Sequence, residues 1–328
     1  MNLIFLFIGL GLLVFGAELI IRGSISFGKK LKVSLFAIGV VIIAGGTSLP
    51  ELASSINAVV INHADLAVGA VIGSNIANLI LVMAATSFLI PISNINQNQI
   101  NQAWINIFLA LVLIAMSFLI LPFNFLFGIL SIGLLFFIMF MQVKQGSLDV
   151  SDVEEKGDYS LIISIIIILV GILLLIYGSD LFVKSAINIA NELNIPEAII
   201  GVSLVAFGTS LPELVVGILS AIKRKVDFAL GNVLGSNIYN ILGVLGVSSF
   251  FGNFSIPAVI GSEDLLFMLF VTVMILGFMF FLKRIGRTYG SIGLLLYIGY
   301  MFYIYSFIWY ECFCCKKKEK KGKRKNIV

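Results

Sequence analysis

Residues 34–61 form an apolar run long enough to cross a bilayer, yet Gly46-Thr47-Ser48-Leu49-Pro50-Glu51 lies in its middle. The same six residues return as Gly208-Thr209-Ser210-Leu211-Pro212-Glu213, inside a second such run over 196–222. The offset is 213 − 51 = 162 residues. A carboxylate at bilayer depth costs ~2.5–3.5 kcal/mol on insertion scales. Glycine and proline interrupt a helix whose freed backbone groups find no water there. A chain that accepts this penalty twice, at one spacing, is restricted to folds that bury both interruptions in protein or around a cavity.

A second motif keeps the same spacing. Gly73-Ser74-Asn75-Ile76-Ala77-Asn78 aligns with Gly235-Ser236-Asn237-Ile238-Tyr239-Asn240. Phe15-Gly16-Ala17-Glu18-Leu19 aligns with Tyr177-Gly178-Ser179-Asp180-Leu181, Gly39 with Gly201 and Ala44 with Ala206, without a gap. Hydrophobic residues make up 60% of the 328, charged residues only 12%, and the mean hydropathy is +1.11. Soluble domains carry about 25% charge, so this is an all-α polytopic membrane protein. At about 20 apolar residues per span, ten spans are expected, near 2–22, 34–61, 65–90, 103–121, 124–143, 160–184, 196–222, 227–250, 262–283 and 288–310. No cleavable signal peptide is expected, because Met1-Asn2 runs directly into the first span. Glycine and proline predict breaks in spans two and seven, and Gly-Ser-Asn in spans three and eight. The chain divides into a five-helix repeat (1–143), a hydrophilic linker (144–159), a second five-helix repeat (160–310) and a polybasic tail (311–328). Five spans per repeat reverse the second half in the membrane. In that inverted arrangement, substrate sites form at mid-membrane between discontinuous helices.

Lysine and arginine gather in the loops after spans one, five, seven and nine, whereas the opposite loops hold only Lys184. Positive-inside bias then makes the basic face cytoplasmic and both termini extracellular in a cell membrane. The basic tail from Lys316 to Lys325 conflicts with that assignment; a tenth span counted wrongly would instead hold it at an anionic inner leaflet. Cys312, Cys314 and Cys315 read as incidental at the membrane edge, and the Asn253-Phe254-Ser255 sequon as a chance match.

The repeated motifs offer oxygen and nothing else. Glu51 and Glu213 supply carboxylates; Thr47, Ser48, Ser74, Thr209, Ser210 and Ser236 supply hydroxyls; Asn78 and Asn240 supply amide oxygens. Carbonyls near Ala44 and Ala206, freed by the helix breaks, complete the set. His63 is the only histidine and all three cysteines lie in the tail, so Zn²⁺, Cu⁺ and iron are poor candidates. Carboxylate, carbonyl and hydroxyl oxygens suit Ca²⁺, Na⁺ or Mg²⁺. Two glutamates neutralise one Ca²⁺, and several Na⁺ would occupy the same oxygens, so the two loads exclude each other. The plain structural reading is a capping box, with Ser48 and Ser210 as N-caps, Glu51 and Glu213 reaching back from N3, and Pro50 and Pro212 in the first turn. That geometry is expected alongside ion binding. Asn75 and Asn237 either bond freed backbone groups or ligate directly. Gly73 and Gly235 allow close helix packing, Glu18 and Asp180 serve near helix ends, and the Phe-rich stretch 267–281 faces lipid. An intramembrane enzyme lacks a catalytic dyad, and broken inverted repeats favour alternating access over a channel.

Gly-Thr-Ser-Leu-Pro-Glu at 46–51 and 208–213, each followed by Gly-Ser-Asn at 73–75 and 235–237, resembles the α-repeats of the Ca²⁺/cation antiporter superfamily. The prokaryotic sodium/calcium exchangers are the nearest branch, and the resemblance covers essentially the whole chain. It implies exchange of about three Na⁺ for one Ca²⁺ by alternating access, the first and sixth helices sliding as a gate, with no cofactor, nucleotide or nucleic acid, in a protein that works as a monomer. Glu51 and Glu213 would be shared ligands. Thr47, Ser48 and Ser74 would serve one Na⁺ site and Thr209, Ser210 and Ser236 its mate, with the Ala44 and Ala206 carbonyls contributing. Asn240 stands where archaeal relatives and the potassium-dependent branch carry Asp, which disfavours K⁺ co-transport. A Ca²⁺/H⁺ antiporter of the same superfamily is the alternative; the hydroxyl pairs favour Na⁺.

Overall fold

The structure, a computed structural model, describes residues 2–145, 159–193, 206–256 and 262–304. Most of the expected linker and the whole tail fall outside these residues. The first long helix, α1 (Asn2–Leu31), is followed by α2 (Leu35–Ile38), a π-helical segment Gly39–Ile43, α3 (Ala44–Thr47) and α4 (Leu49–Val60). Then come α5 (Ala64–Ala77), a π segment Asn78–Val82, α6 (Met83–Leu89), the short strand β1 (Ile92–Ser93), α7 (Gln97–Phe118) and α8 (Phe125–Gln145). The second half holds α9 (Leu161–Glu192), α10 (Ala206–Thr209), α11 (Leu211–Ile222), α12 (Val226–Ile238), a π segment Tyr239–Val244 and α13 (Leu245–Ser248). It closes with α14 (Ser262–Phe281), β2 (Arg284–Ile285) and a helix over 287–304, α15.

Among the described residues, seven helical stretches are long and apolar enough to cross a bilayer, and the bent pair Leu35–Thr47 with Leu49–Val60 makes an eighth. The chain is therefore a multi-pass membrane protein. The bend is 43° and falls at Ser48, with Pro50 in the first turn of α4. Two expectations are corrected. Spans three and eight are not broken at Gly-Ser-Asn: Ala64–Leu89 and Val226–Ser248 run through, and the irregularity is a π segment opening at Asn78 or Tyr239. Span four begins before 103, inside the Asn- and Gln-rich stretch that precedes it. Asn96 and Gln99 form a reciprocal capping box that starts α7 at Gln97, so amide side chains satisfy the first free N–H groups.

Burial grades from the middle outward. Within the most apolar window of Val226–Ser248, 94% of residues are buried, and 78% within Ala64–Leu89, against 28% in α8 and in α9. The motif-bearing helices are thus the centre, and α8 and α9 present mostly apolar surface outward. The Phe-rich stretch is mixed: Phe270 and Phe281 are exposed, but Phe267 stacks on Tyr300 with ring centroids 4.9 Å apart.

Helices α1 and α9 pack antiparallel through glycine. A Cβ on Gly9 would sit 2.9 Å from the Gly178 carbonyl oxygen, and one on Gly16 would sit 2.8 Å from that of Gly171. Replacing each residue by the one 162 positions away turns the first pair into the second. Contacts near the ends of the expected spans fall into two sets: Glu18 meets Lys223, Ser26 meets Tyr159 and β1 pairs with β2 in one, and Asn2 meets Glu192 and Phe123 pairs with Phe254 in the other.

Candidate ion-binding site

Thr47 ends α3, Ser48 occupies the bend and Glu51 lies in the first turn of α4; Thr209, Ser210 and Glu213 repeat this at α10 and α11. Both glutamates are completely buried, as are Asn78, Asn240 and Ser236, while Thr47, Ser48, Ser74 and Ser210 are nearly so. Thr209 is half-buried, and Ala206 opens α10. Gly235 packs closely, a Cβ there lying 2.8 Å from that of Ala44, but nothing approaches within 4 Å of the equivalent point on Gly73. The expected packing role therefore holds for Gly235 only.

The expected capping box is absent. Ser48 (φ −83°, ψ 4°) and Ser210 (φ −86°, ψ 1°) stand at the N-cap positions, but neither side chain bonds the helix that follows. With the break made by a bend rather than an extended N-cap residue, the hydroxyl does not point back along the helix. The break also does not free Ala44: its carbonyl accepts the Ser48 N–H at 3.0 Å and the Thr47 hydroxyl at 3.4 Å.

Four asparagines brace the centre. Asn75 Nδ2 donates to the Asn237 carbonyl at 3.4 Å, and Asn237 Nδ2 donates to that of Asn75 at 3.3 Å. Asn78 Nδ2 donates to Asn237 Oδ1 at 3.0 Å, and Asn240 Nδ2 to Asn75 Oδ1 at 3.1 Å. Asn240 Nδ2 also donates to Ser74 Oγ at 3.2 Å. Of the two roles left open for Asn75 and Asn237, the structure displays the backbone-bonding one. Because Asn78 and Asn240 spend their amide nitrogens on protein, their oxygens are turned the other way.

Among the described residues those oxygens have no hydrogen-bond partner. The same is true of Ser48 Oγ, Ser210 Oγ, Glu51 Oε2 and both carboxylate oxygens of Glu213. Buried oxygens are normally satisfied, and these belong to residue pairs 162 apart. One hydroxyl contact crosses between halves, Thr47 Oγ1 lying 3.5 Å from Ser236 Oγ, while within the first half Ser74 Oγ donates to Glu51 Oε1 at 3.5 Å. No group of three or more His, Cys, Asp or Glu that could hold a metal occurs among the described residues. Any cation here must use hydroxyl and amide oxygen beside the two carboxylates, a hard-cation set.

Three supporting residues escaped the sequence. Tyr239 donates to the Val41 carbonyl at 2.7 Å and Tyr289 to the Leu79 carbonyl at 2.9 Å, each closing a backbone oxygen in a π segment. The third, Asn232, lies beside Thr47. A buried tyrosine needs a partner for its hydroxyl, a signal that names neither the partner nor its helix. Away from the centre, Glu18 pairs with Arg22 at 2.5 Å and Lys223 at 2.8 Å, and Asp180 with Lys184 at 2.8 Å; neither acid is near a helix end as expected, because α1 and α9 run on to Leu31 and Glu192.

The sodium/calcium exchanger protein family matches residues 1–144 and 163–306. The chain belongs to that family. It is 34% identical over 295 residues to membrane protein MJ0091 of Methanocaldococcus jannaschii, covering 89% of this chain and 94% of the relative. It is 30% identical to the sodium/calcium exchanger MaX1 of Methanosarcina acetivorans, covering 92% and 99%. Among solved structures, the sodium-calcium exchanger NCX_Mj without Na⁺ and Ca²⁺ superposes with a TM-score of 0.80 at 30% identity, over 90% of this chain and 96% of that one. The chain is a membrane transporter rather than an enzyme, and its transported ions are Na⁺ and Ca²⁺.

Proposed function

We propose that this exchanger moves about three Na⁺ against one Ca²⁺ by alternating access, with both loads held in turn in one mid-membrane cage between the two halves. The observation that carries the reading is the set of buried, unpartnered oxygens on Ser48, Glu51, Asn78, Ser210, Glu213 and Asn240. Their number suits a Ca²⁺ ion, which takes 6–8 oxygens. Glu51 and Glu213 serve both ions; Thr47, Ser48, Ser74, Thr209, Ser210 and Ser236 serve Na⁺ chiefly; the carbonyls of Ala44 and Ala206 are lesser ligands. Of these, Ala44 is the weakest, its carbonyl already accepting the Ser48 N–H with the Thr47 hydroxyl also in reach. Asn240 brings no charge, which favours Na⁺ without K⁺.

Two five-helix repeats of opposite orientation, over 1–143 and 160–310, make ten spans. The exchange of the Gly9–Gly178 and Gly16–Gly171 contacts under a shift of 162 supports that arrangement, as does the same exchange among the asparagines. The contacts near span ends support it too, because each joins residues that ten spans would place toward one side. The α1–α9 seam lets backbones approach closely, with few side chains to interlock, which suits two helices sliding together as a gate. The protein acts as a monomer in the cell membrane with both termini outside.

The test is ⁴⁵Ca²⁺ uptake into proteoliposomes under imposed Na⁺, K⁺ or H⁺ gradients. Only an outward Na⁺ gradient is expected to drive uptake. Uptake driven by a pH gradient without Na⁺ would sink the reading in favour of proton exchange, and uptake with no counter-ion would indicate a channel.

A further inference from the structure

One partner of the cage is not duplicated by the repeat. Asn232 lies one turn before Ser236 on α12 and is completely buried. Its Oδ1 is 3.3 Å from Thr47 Oγ1, in reach of the hydroxyl hydrogen, whereas its Nδ2 has no hydrogen-bond partner among the described residues. The residue 162 positions earlier is Ala70, which has no polar side-chain atom. A buried donor without a partner is destabilising, so the position calls for a reason beyond packing.

The backbone here has no freedom to move. A Cβ on Gly231 would come within 2.3 Å of the Phe36 carbonyl oxygen, and one on Gly39 within 3.0 Å of the Asn232 nitrogen. Asn232 therefore projects from the point where α12 presses against the π segment of the first broken helix. Thr47 Oγ1 has Ala44 O at 3.4 Å, Asn232 Oδ1 at 3.3 Å and Ser236 Oγ at 3.5 Å in reach, and the Glu213 carboxylate of the cage also lies beside it. A hydroxyl has one hydrogen and two lone pairs. It is a cation ligand only when the hydrogen is turned away from the ion.

We propose that Asn232 is a positioning residue that draws the Thr47 hydrogen out of the cage, fixing Thr47 as a lone-pair donor to Na⁺. The effect falls on Na⁺ more than on Ca²⁺, because a divalent ion is held mainly by the two carboxylates while a monovalent one depends on the neutral oxygens. This rests on the reading that the cage carries Na⁺.

The experiment measures the Na⁺ and Ca²⁺ dependence of exchange in proteoliposomes for wild type, Asn232→Ala, Asn232→Asp, Thr47→Ala and the Asn232→Ala/Thr47→Ala double variant. Asn232→Ala is expected to raise the half-saturating Na⁺ concentration by about 2- to 12-fold, the range of one hydrogen bond, and that for Ca²⁺ by less. In the double variant the Asn232 change adds nothing to Thr47→Ala, since the hydroxyl it orients is gone. Asn232→Asp keeps an acceptor in place and is expected not to weaken Na⁺ binding, which tests the idea even if the alanine variant fails to fold. Equal losses for both ions, a full added loss in the double variant, or weakening by Asp as large as by Ala overturns the proposal. Absence of Na⁺-driven flux in wild type instead overturns the reading beneath it.

Discussion

The four-asparagine brace predicts unequal effects from two substitutions that the repeat makes equivalent. Asn75→Ala removes the bond to the Asn237 carbonyl and the acceptor for Asn240; Asn237→Ala removes the bond to the Asn75 carbonyl and the acceptor for Asn78. Each deletes two buried hydrogen bonds, worth about 1 kcal/mol apiece, so stability falls by roughly 2 kcal/mol in both. Ligand geometry is affected differently. Asn240 keeps its second anchor on Ser74 at 3.2 Å, whereas Asn78 Nδ2 has Asn237 as its sole partner among the described residues. An untethered amide must be immobilised by the ion itself, at about 0.5–1.5 kcal/mol per side chain. At 1.4 kcal/mol per tenfold, Asn237→Ala is expected to weaken Ca²⁺ by about 5-fold, and Asn75→Ala by no more than about 2-fold. Half-saturating Ca²⁺ in ⁴⁵Ca²⁺ uptake gives the affinities, and melting without ions gives the stabilities. If Asn75→Ala costs as much affinity as Asn237→Ala, or if only the melting temperatures move, the brace does not orient the ligands.

Glu213→Gln, which leaves one oxygen and adds a donor, is expected to abolish Ca²⁺ transport in the same assay; near-normal uptake would remove the carboxylate from the cage. Ser48→Ala and Ser210→Ala separate ligation from capping: a lost cap costs about 1 kcal/mol of stability, but neither hydroxyl caps here, so melting should shift little while the half-saturating Na⁺ concentration rises. Gly16→Ala places a methyl 2.8 Å from the Gly171 carbonyl oxygen and should slow exchange sharply, whereas Gly11→Ala, with open space around it, should leave the rate unchanged. Equal rates for those two variants would argue against the glycine seam as a moving surface.

What the sequence disclosed and what it hid divide along physical lines. Glu51 and Glu213 were legible because a buried charge in an apolar run is anomalous on its face, and a fixed offset of 162 made the pairing unmistakable. The family followed from the same residues. Local backbone geometry was harder. Gly-Ser-Asn reads as a helix breaker, yet Ala64–Leu89 continues through it, because side chains from distant helices complete the backbone bonding around its π segment. The serine caps failed for a related reason: the motif spells a capping box, but Ser48 turns in the bridge region at ψ 4° rather than extended, and the side chain is released. Asn232 left no trace, since its meaning depends on Thr47 lying 185 residues away in sequence.

The charge of the cage explains why an amide at 240 matters more than its size suggests. With Asn78 and Asn240 neutral, the ionised cage carries the charge of Glu51 and Glu213 alone. On the proposed stoichiometry, it is neutral when loaded with one Ca²⁺ and carries one positive charge when loaded with three Na⁺. Voltage therefore acts on the Na⁺-loaded crossing, with about 2.3 kcal/mol per 100 mV available if the charge traverses the whole field. Asn240→Asp inverts this: the Na⁺-loaded cage becomes neutral and the Ca²⁺-loaded cage carries one negative charge. The net charge moved per cycle is unchanged, so stoichiometry alone would not reveal the substitution. The voltage-sensitive step would. In proteoliposomes under K⁺-valinomycin potentials, Ca²⁺/Ca²⁺ exchange, which involves no Na⁺ crossing, should be insensitive to voltage in wild type and sensitive in Asn240→Asp. The variant also loses the donor that Asn75 and Ser74 accept, so its rate should fall in either mode. Voltage-dependent Ca²⁺/Ca²⁺ exchange in the wild type would refute the assignment of two charges to the cage.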